Sequence, residues 1–153
     1  MSDPASDAVQ IRAADLSDAA DLASLMGQLG YQTKTAEMEM RLNSILPDSR
    51  YRTLVAVVDG KVCGMIGTFC HPSYEHNDLS ARILALVVDA QMRSRGVGRA
   101  LVQATETELA ASNIARVAVN TRLTRQDAHL FYERLSYEKN GFRYVKTLPA
   151  TAG

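Results

Sequence analysis

The chain has 153 residues, 46% of them hydrophobic, which suits one domain with its own core and argues against disorder. Its 17 basic and 17 acidic side chains cancel, whereas a general nucleic-acid binder usually carries a basic excess. No apolar run is long enough to span a bilayer, and stretch 1–8 lacks signal-peptide features, so we expect a cytoplasmic protein without membrane or nucleic-acid partners. The expected organisation is a disordered tail at 1–8, one domain at 9–147 and a short tail at 148–153.

Apolar alternation and helical spacing predict the elements of the first half. Asp15 is a helix-capping residue type, and Gly27 and Gly30 mark a helix end. Asp59-Gly60 is a strong hairpin signal, because both central positions of the favoured turn need a positive φ. In order, the predicted elements are a strand at Val9–Arg12, a helix around Ala19–Met26, a helix from its cap Thr35 to Leu46, and strands at Tyr51–Val58 and Lys61–Thr68.

The second half begins with a polar loop, Cys70 to Ser80, and the apolar run Ile83–Val88 is typical of a strand buried on both faces. Cys63 and Cys70 are interpreted as free thiols, since a secreted disulfide scaffold normally carries more cysteines. The remaining elements are a helix at Gly96–Ala111, a strand at Val117–Val119, a helix at Arg125–Leu135 capped by Thr124, and a last strand at Phe142–Val145. The order β-α-α-β-β-β-α-β-α-β predicts a single-domain α/β fold around a mixed, mostly antiparallel sheet.

The stretch from Leu86 to Ala100 carries the chemistry, because a buried strand runs into a glycine-bearing turn that opens a helix. Such a turn presents unpaired backbone N–H groups at the positive end of the helix dipole, and glycine lets the main chain approach an anion closely. Guanidinium groups suited to phosphate oxygens come from Arg93, Arg95 and Arg99. The stretch is therefore interpreted as a pyrophosphate cradle; the plain alternative is a solvated basic turn.

Two common phosphate-binding motifs do not fit this segment. A Walker A loop requires Gly-x-x-x-x-Gly-Lys-Ser/Thr, which the sequence lacks. A dinucleotide-binding fold requires Gly-x-Gly-x-x-Gly, but Leu101 stands at the third glycine position and a hairpin precedes the motif strand.

The turn Arg93-x-x-Gly96-x-Gly98 resembles the Gln/Arg-x-x-Gly-x-Gly/Ala signature of the GNAT acetyltransferase superfamily. The preceding Leu86–Val88 is similar to that family's cofactor-binding strand. The segment Ala128-x-x-Phe131-Tyr132-Glu133-x-Leu135 is similar to its C-terminal motif. Because the element order also matches, the resemblance implies a GNAT-type fold.

This resemblance covers nearly the whole chain, from Val9 to Lys146, and implies an N-acetyltransferase that uses acetyl-CoA. The tail from Asp127 to Tyr132 more closely resembles that of the aminoalkylphosphonate N-acetyltransferases and similar small-amine enzymes. The implied acceptor is a primary amine of a small metabolite, which attacks the thioester directly. Dimers are frequent among such proteins, so a homodimer is one expectation, although no residue here decides the oligomeric state.

The resemblance also implies roles for individual residues. The CoA pyrophosphate would be held by main-chain N–H groups of the turn, which are those of Arg93, Ser94, Arg95, Gly96, Val97, Gly98 and Arg99. Val88 would bond through its main chain to the pantetheine arm and the thioester carbonyl, and Asn120 would contact the CoA arm. Tyr132 matches the tyrosine that protonates the leaving thiolate in many members, although its place on the apolar side of a helix also fits core packing.

The sequence departs from the family at the general base. Many members place a carboxylate on the strand before the cradle, but Ile83 to Leu86 contains no acid. Candidates in the preceding loop are His71, Glu75 and His76, each of which is also an ordinary solvated loop residue. Together with Asp78 these are metal-ligand residue types, but their spacing matches no known ligand set, so we expect no metal.

Acceptor recognition is expected from the connection between the first two helices, which includes Tyr31, and from the later polar loop, which includes Tyr74 and Glu75. Exposed loop tyrosines are an equally good alternative. Three other functions stay open: a non-catalytic acyl-CoA sensor, a protein N-acetyltransferase and a nucleotide-phosphate binder. The missing strand carboxylate favours the sensor, and Tyr132 argues against it.

Overall fold

The computed structural model describes residues 8–120, 126–141 and 143–150. Internal contacts divide the chain into a first unit that ends at Val119 and a second that begins at Asn120. Residues 1–7 of the predicted tail at 1–8, residues 151–153 of the predicted tail at 148–153, the cap Thr124 and the helix start at Arg125 lie outside the described residues. No helix in the described ranges combines the length and the apolar character needed to cross a membrane.

Helices and strands follow one another much as the sequence predicts. Their bounds are β1 Gln10–Ala13, α1 Ala19–Leu29, α2 Thr35–Ile45, β2 Tyr51–Val58, β3 Lys61–His71, β4 Ser80–Val88, α3 Val97–Ala111 and β5 Val117–Val119 in the first unit, and α4 Gln126–Arg134 in the second. The described strands form one sheet in the order β1-β2-β3-β4-β5. Pairing is antiparallel from β1 to β4 and parallel between β4 and β5, which confirms the predicted fold class.

One face of this sheet packs against α1 and α2. Leu22 and Leu25 of α1 and Leu42 of α2 cluster with Val55 of β2 and Met65 of β3, and each is at most 5% exposed. Their spacing along the helices places the apolar side chains on one side, as amphipathic helices require. Burying each such side chain contributes about 1.5–3 kcal/mol, so this cluster anchors both helices to the sheet.

A reciprocal capping arrangement fixes the chain just before α1. The Asp15 carboxylate accepts from the Ser17 N–H at 2.8 Å, and the buried Asp18 accepts from the Asp15 N–H at 2.9 Å. Arg12 donates both terminal nitrogens to Asp18 at 2.8 and 2.9 Å, which holds the pKa of that carboxyl below its ordinary value. The resulting stabilisation is present above the unfolded pKa and is lost as pH falls through the lowered folded pKa.

Two local predictions in the first unit are confirmed. Asp59 and Gly60 have φ angles of 51° and 75°, as the hairpin between β2 and β3 requires. Cys63 and Cys70 are free thiols, and burial raises the pKa of both.

Three element predictions need correction. Lys34 is the N-cap of α2 and its N–H donates to Glu37 Oε1 at 2.8 Å, so Thr35 is the first helical residue and not the cap. β3 continues to His71, which shortens the predicted loop. The predicted last strand is not formed at Arg143–Val145, where no strand among the described residues pairs with the chain and Val145 is 69% exposed; Phe142 lies outside the described residues.

Candidate functional site

The candidate site begins where β4 ends at Val88. Asp89 then caps a short 3₁₀ turn, Ala90–Met92. Gln28 of α1 holds this turn from the side, because its Oε1 accepts from the Ala90 N–H at 2.9 Å and its Nε2 donates to Asp89 at 3.2 Å. The path of the chain out of the sheet is therefore fixed by a contact from α1.

The following segment turns sharply into α3. Ser94 and Gly96 have positive φ angles of 67° and 80°, with Arg95 between them. Alternation of left-handed and right-handed residues directs successive N–H groups toward one side and forms an anion-binding nest. Gly96 is the N-cap of α3 and has no side chain to occupy the first helical N–H groups, so these groups face the nest without a cap.

Close packing between α3 and β3 sets the distance of this nest from the sheet. A Cβ added at Gly64 of β3 would lie 3.1 Å from Val97 Cγ1 and 3.2 Å from Leu101 Cδ1. Both side chains are buried, at 1% and 0% exposed. Gly64 therefore lets the first turn of α3 rest directly on β3, and Val97 can serve a ligand only through its main chain.

The edge of β4 leading to the nest is open. β5 pairs with β4 only from Ala81 to Ile83. From Leu84 to Val88, that edge has no strand partner among the described residues. A register shift opposite Gly67 and Thr68 makes Leu84 the extra residue of a bulge, and its side chain is 52% exposed. The expectation of a strand buried on both faces is therefore wrong at Leu84, because a bulge turns its extra residue out of the ladder.

The arginines near the nest differ from four other arginines of the first unit in lacking a carboxylate partner. Arg93, Arg95 and Arg99 are exposed and form no salt bridge within the part of the chain that the structure describes. Carboxylate partners are found at 2.6–3.0 Å in four other pairs: Arg12–Asp18, Arg50–Asp48, Arg52–Glu108 and Arg116–Asp78. Three guanidinium groups without a described carboxylate partner thus belong to the segment that forms the nest, as an anionic ligand requires.

Among the candidate bases, His71 lies at the end of β3. Its ring stacks on Phe69 with centroids 5.5 Å apart, and its Nδ1 lies 2.8 Å from the Pro72 carbonyl oxygen. Because a carbonyl can only accept, Nδ1 carries the proton and Nε2 keeps its lone pair in the neutral ring. His71 can therefore accept a proton at Nε2.

The other predicted acceptor and base residues lie in connections. Glu75 and His76 are exposed in the β3–β4 loop, where their N–H groups donate to the Ser73 hydroxyl at 2.9 and 3.2 Å. Tyr74 in that loop is fully exposed, and Tyr31, just after α1, is 52% exposed. Within the described ranges, no group of three or more His, Cys, Asp or Glu side chains is placed to hold a metal ion.

The second unit contains Tyr132 and Asn120. Tyr132 lies on α4, is 9% exposed, and contacts the rings of Phe131 and Tyr137 edge-on at 5.1 and 5.5 Å. Its ring is therefore held by aromatic packing within α4 and the residues just after it. Asn120 is exposed immediately after β5.

Three residues that shape this region were not identified from the sequence. Gln28 is 61 positions from Asp89, and no local pattern indicates their contact. The bulge at Leu84 depends on how β3 and β4 pair. Gly64 did carry a signal, because an isolated glycine within a strand often marks a close backbone approach.

Comparisons with known proteins agree with this geometry. The family model described as "Acetyltransferase (GNAT) family" matches residues 19–137. The aminoalkylphosphonate N-acetyltransferase of Salmonella typhimurium is 32% identical over 106 residues, which are 69% of this chain and 68% of that protein. The human N-acetylaspartate synthetase is 29% identical over 95 residues, which are 62% of this chain and 30% of that protein.

Solved structures give the same result. The crystal structure of a GNAT family acetyltransferase from Staphylococcus aureus has a TM-score of 0.79 and 26% identity, and the match covers 92% of this chain and 98% of that one. The nest at the start of α3 and the open β4 edge thus occur in a chain that matches this family in both sequence and fold. The chain therefore belongs to the acetyltransferase (GNAT) family and is an N-acetyltransferase.

Proposed function

We propose that this enzyme transfers the acetyl group of acetyl-CoA to the primary amine of a small metabolite. One observation carries the proposal: the open edge of β4, from Leu84 to Val88, leads through a short turn to an uncapped helix N-terminus, and three arginines of that segment form no salt bridge with the described residues. Such a path offers main-chain groups to an extended polar chain and then positive charge to a diphosphate. Acetyl-CoA has these two parts in this order.

The diphosphate end would bind at the nest. Main-chain N–H groups from Arg93 to Arg99 donate to the phosphate oxygens, and the guanidinium groups of Arg93, Arg95 and Arg99 add charge-assisted hydrogen bonds. The left-handed Gly96 leaves the helix N-terminus open to the ligand. Binding at this end fixes the direction in which the rest of the molecule lies.

The pantetheine arm would lie along the open edge of β4. Val88 and the residues before it offer main-chain donors and acceptors there, in the manner of an added strand. A backbone N–H group near the bulge at Leu84 would stabilise the oxyanion that forms when the amine attacks the thioester. Bulges commonly stand beside active sites, which is consistent with this placement.

The acceptor would be a small amine that also carries an acidic group. The two relatives are named for aminoalkylphosphonates and for N-acetylaspartate, and both names denote molecules with acidic groups. The amine must lose a proton before it attacks, because amines of ordinary pKa, about 10, are mostly charged at neutral pH. His71, Glu75 and His76 are the candidates to take this proton through water, and of these His71 keeps a lone pair at Nε2.

Replacing Tyr132 with phenylalanine is expected to lower kcat by about 100-fold, because a positioned general acid contributes on that order. A phenol and a thiolate have ordinary pKa values of about 10 and about 8.5, so the proton passes readily between them. Aromatic packing against Phe131 and Tyr137 is kept in the variant, so KM for acetyl-CoA should not change. Tyr144→Phe is the matched control, because Tyr144 is 91% exposed in the same unit. An unchanged kcat in Tyr132→Phe would remove the acid role.

The proposed function is tested with a panel of small amines and acetyl-CoA, with free thiol release as the measurement. We expect release with one or more amines and acetylation of the amine nitrogen, detected by mass spectrometry. Binding of acetyl-CoA without release by any amine would contradict the proposal and support an acyl-CoA sensor. Release only with peptide N-termini would indicate a protein N-acetyltransferase.

A further inference from the structure

One face of the sheet, at the end of β4 far from the nest, carries aromatic and cationic side chains. The Phe69 ring contacts Tyr51 at 4.8 Å and stacks on His71 at 5.5 Å between centroids. Arg82 of β4 lies directly opposite Phe69 in the antiparallel ladder. Residues opposite each other share a face of the sheet, so the Arg82 side chain stands beside this aromatic group. We call Tyr51, Phe69, His71 and Arg82 the Arg82 face.

Arg82 differs from the arginines around it in having no counter-charge. It is exposed and forms no salt bridge with any residue that the structure describes. Arg50, which lies over the Phe69 ring at 5.5 Å, is paired with Asp48 at 2.7 Å. Asp78, two residues before β4, is paired with Arg116 at 2.6 Å. The positive charge on the Arg82 face is therefore available to an external anion.

The position of Arg82 along β4 connects this charge to the reaction. Pairing between β4 and β5 ends at Ile83, and the bulged Leu84 begins the open edge. At about 3.3 Å per residue, Arg82 stands about 7 Å from Leu84 along the strand. Arg82 is thus close along the strand to the start of the open edge, so a short aminoalkyl chain could place its amine at that edge and its acidic group at the guanidinium.

We propose that Arg82 binds the phosphonate or carboxylate group of the acceptor and so places its amine at the thioester. This inference rests on the proposed function and adds the residue that selects the substrate. A guanidinium group can donate two parallel hydrogen bonds to either kind of anion. Arg82 acts on specificity and position and takes no part in proton transfer.

The test compares Arg82→Gln with the wild-type enzyme on matched acids and esters. The acceptors are 2-aminoethylphosphonate and aspartate, each beside its dimethyl ester, which keeps the amine and removes the negative charge. We expect Arg82→Gln to lower kcat/KM for the acids by about 10- to 100-fold, mainly through KM, as loss of a charge-assisted hydrogen bond does. Rates with the esters and KM for acetyl-CoA should not change. The larger loss between the two acids identifies the group that Arg82 recognises.

Two further variants separate specificity from folding. Arg52→Gln is the matched control, because Arg52 is also an exposed strand arginine but pairs with Glu108 at 3.0 Å, and we expect it to change neither acid nor ester kinetics. Arg82→Lys keeps the charge and should recover part of the lost kcat/KM. A preference for acids over esters that survives in Arg82→Gln overturns the Arg82 assignment alone. Absence of thiol release with every acceptor in the wild type overturns the proposed function as well.

Discussion

Replacing Gly64 with valine is expected to destabilise the protein by about 3 kcal/mol, the upper part of the range for overpacked cores. Even the Cβ would approach Val97 and Leu101 to 3.1 and 3.2 Å and the Val87 carbonyl oxygen to 3.2 Å. The two added methyl groups of valine have no free space on that side. The Val87 oxygen belongs to the backbone of a central strand and cannot move as a side chain would, so α3 must shift away from β3.

Because Val97 is the first residue of α3, this shift also moves the nest. Urea unfolding should therefore show the loss of stability, and titration with acetyl-CoA should show affinity lower by at least about tenfold, the equivalent of 1.4 kcal/mol. Gly67→Ala is the matched control on the same strand, since its Cβ would meet no atom within 4 Å. Equal stability of Gly64→Val and Gly67→Ala would show that α3 does not rest on β3 as described. If Gly64→Val does not fold, Gly64→Ala adds only the Cβ and tests the same contact with a smaller expected loss of stability.

Replacing Gly96 with valine is expected to weaken acetyl-CoA binding by at least tenfold through the backbone and not through crowding. Gly96 has a φ of 80°, and a Cβ there would meet open space. A β-branched residue is strained in this left-handed conformation by about 1–3 kcal/mol, so the segment around Ser94 and Gly96 would relax to another shape. The N–H groups at the start of α3 would then no longer face one anion together.

A second glycine provides a control for this strain. Gly60, in the turn between β2 and β3, has a φ of 75° and also faces open space. Gly60→Val should therefore lose a similar amount of stability in thermal unfolding but keep the acetyl-CoA affinity of the wild type. Wild-type affinity in Gly96→Val, measured by calorimetry, would mean that the left-handed turn is not needed for the cofactor.

The features predicted correctly from the sequence are those in which a few adjacent residues decide the conformation. Asp59-Gly60 forms the expected turn because its φ angles are set locally. The strand, turn and helix from Leu86 to Ala100 also form as expected, since glycines and a buried strand already define that path. Resemblance to a known family then added the expectation of acetyl-CoA as the cofactor, whereas local patterns alone left several phosphate ligands open.

The features not predicted depend on residues far apart in the chain. The bulge at Leu84 and the end of β5 pairing at Ile83 follow from the register between strands. Gln28 reaches the start of the nest across 61 positions. Nothing in the sequence distinguishes Arg82 from a solvated strand arginine. Only the pairing of β3 with β4 shows that it lies beside Phe69. The features from which the acceptor site is proposed thus needed the structure, whereas the turn proposed to bind the diphosphate was identified from the sequence.

The proposed activity depends most on the binding of a diphosphate at the start of α3. Calorimetric titration of the protein with acetyl-CoA and with S-acetylpantetheine, which has the same thioester and arm but lacks the diphosphate and the adenosine, tests whether this end of the cofactor binds. We expect measurable heat and one-to-one binding for acetyl-CoA, and binding weaker by at least about 100-fold for S-acetylpantetheine, since two charge-assisted hydrogen bonds contribute on that order. Equal affinity for the two compounds, or no binding of acetyl-CoA, would contradict it.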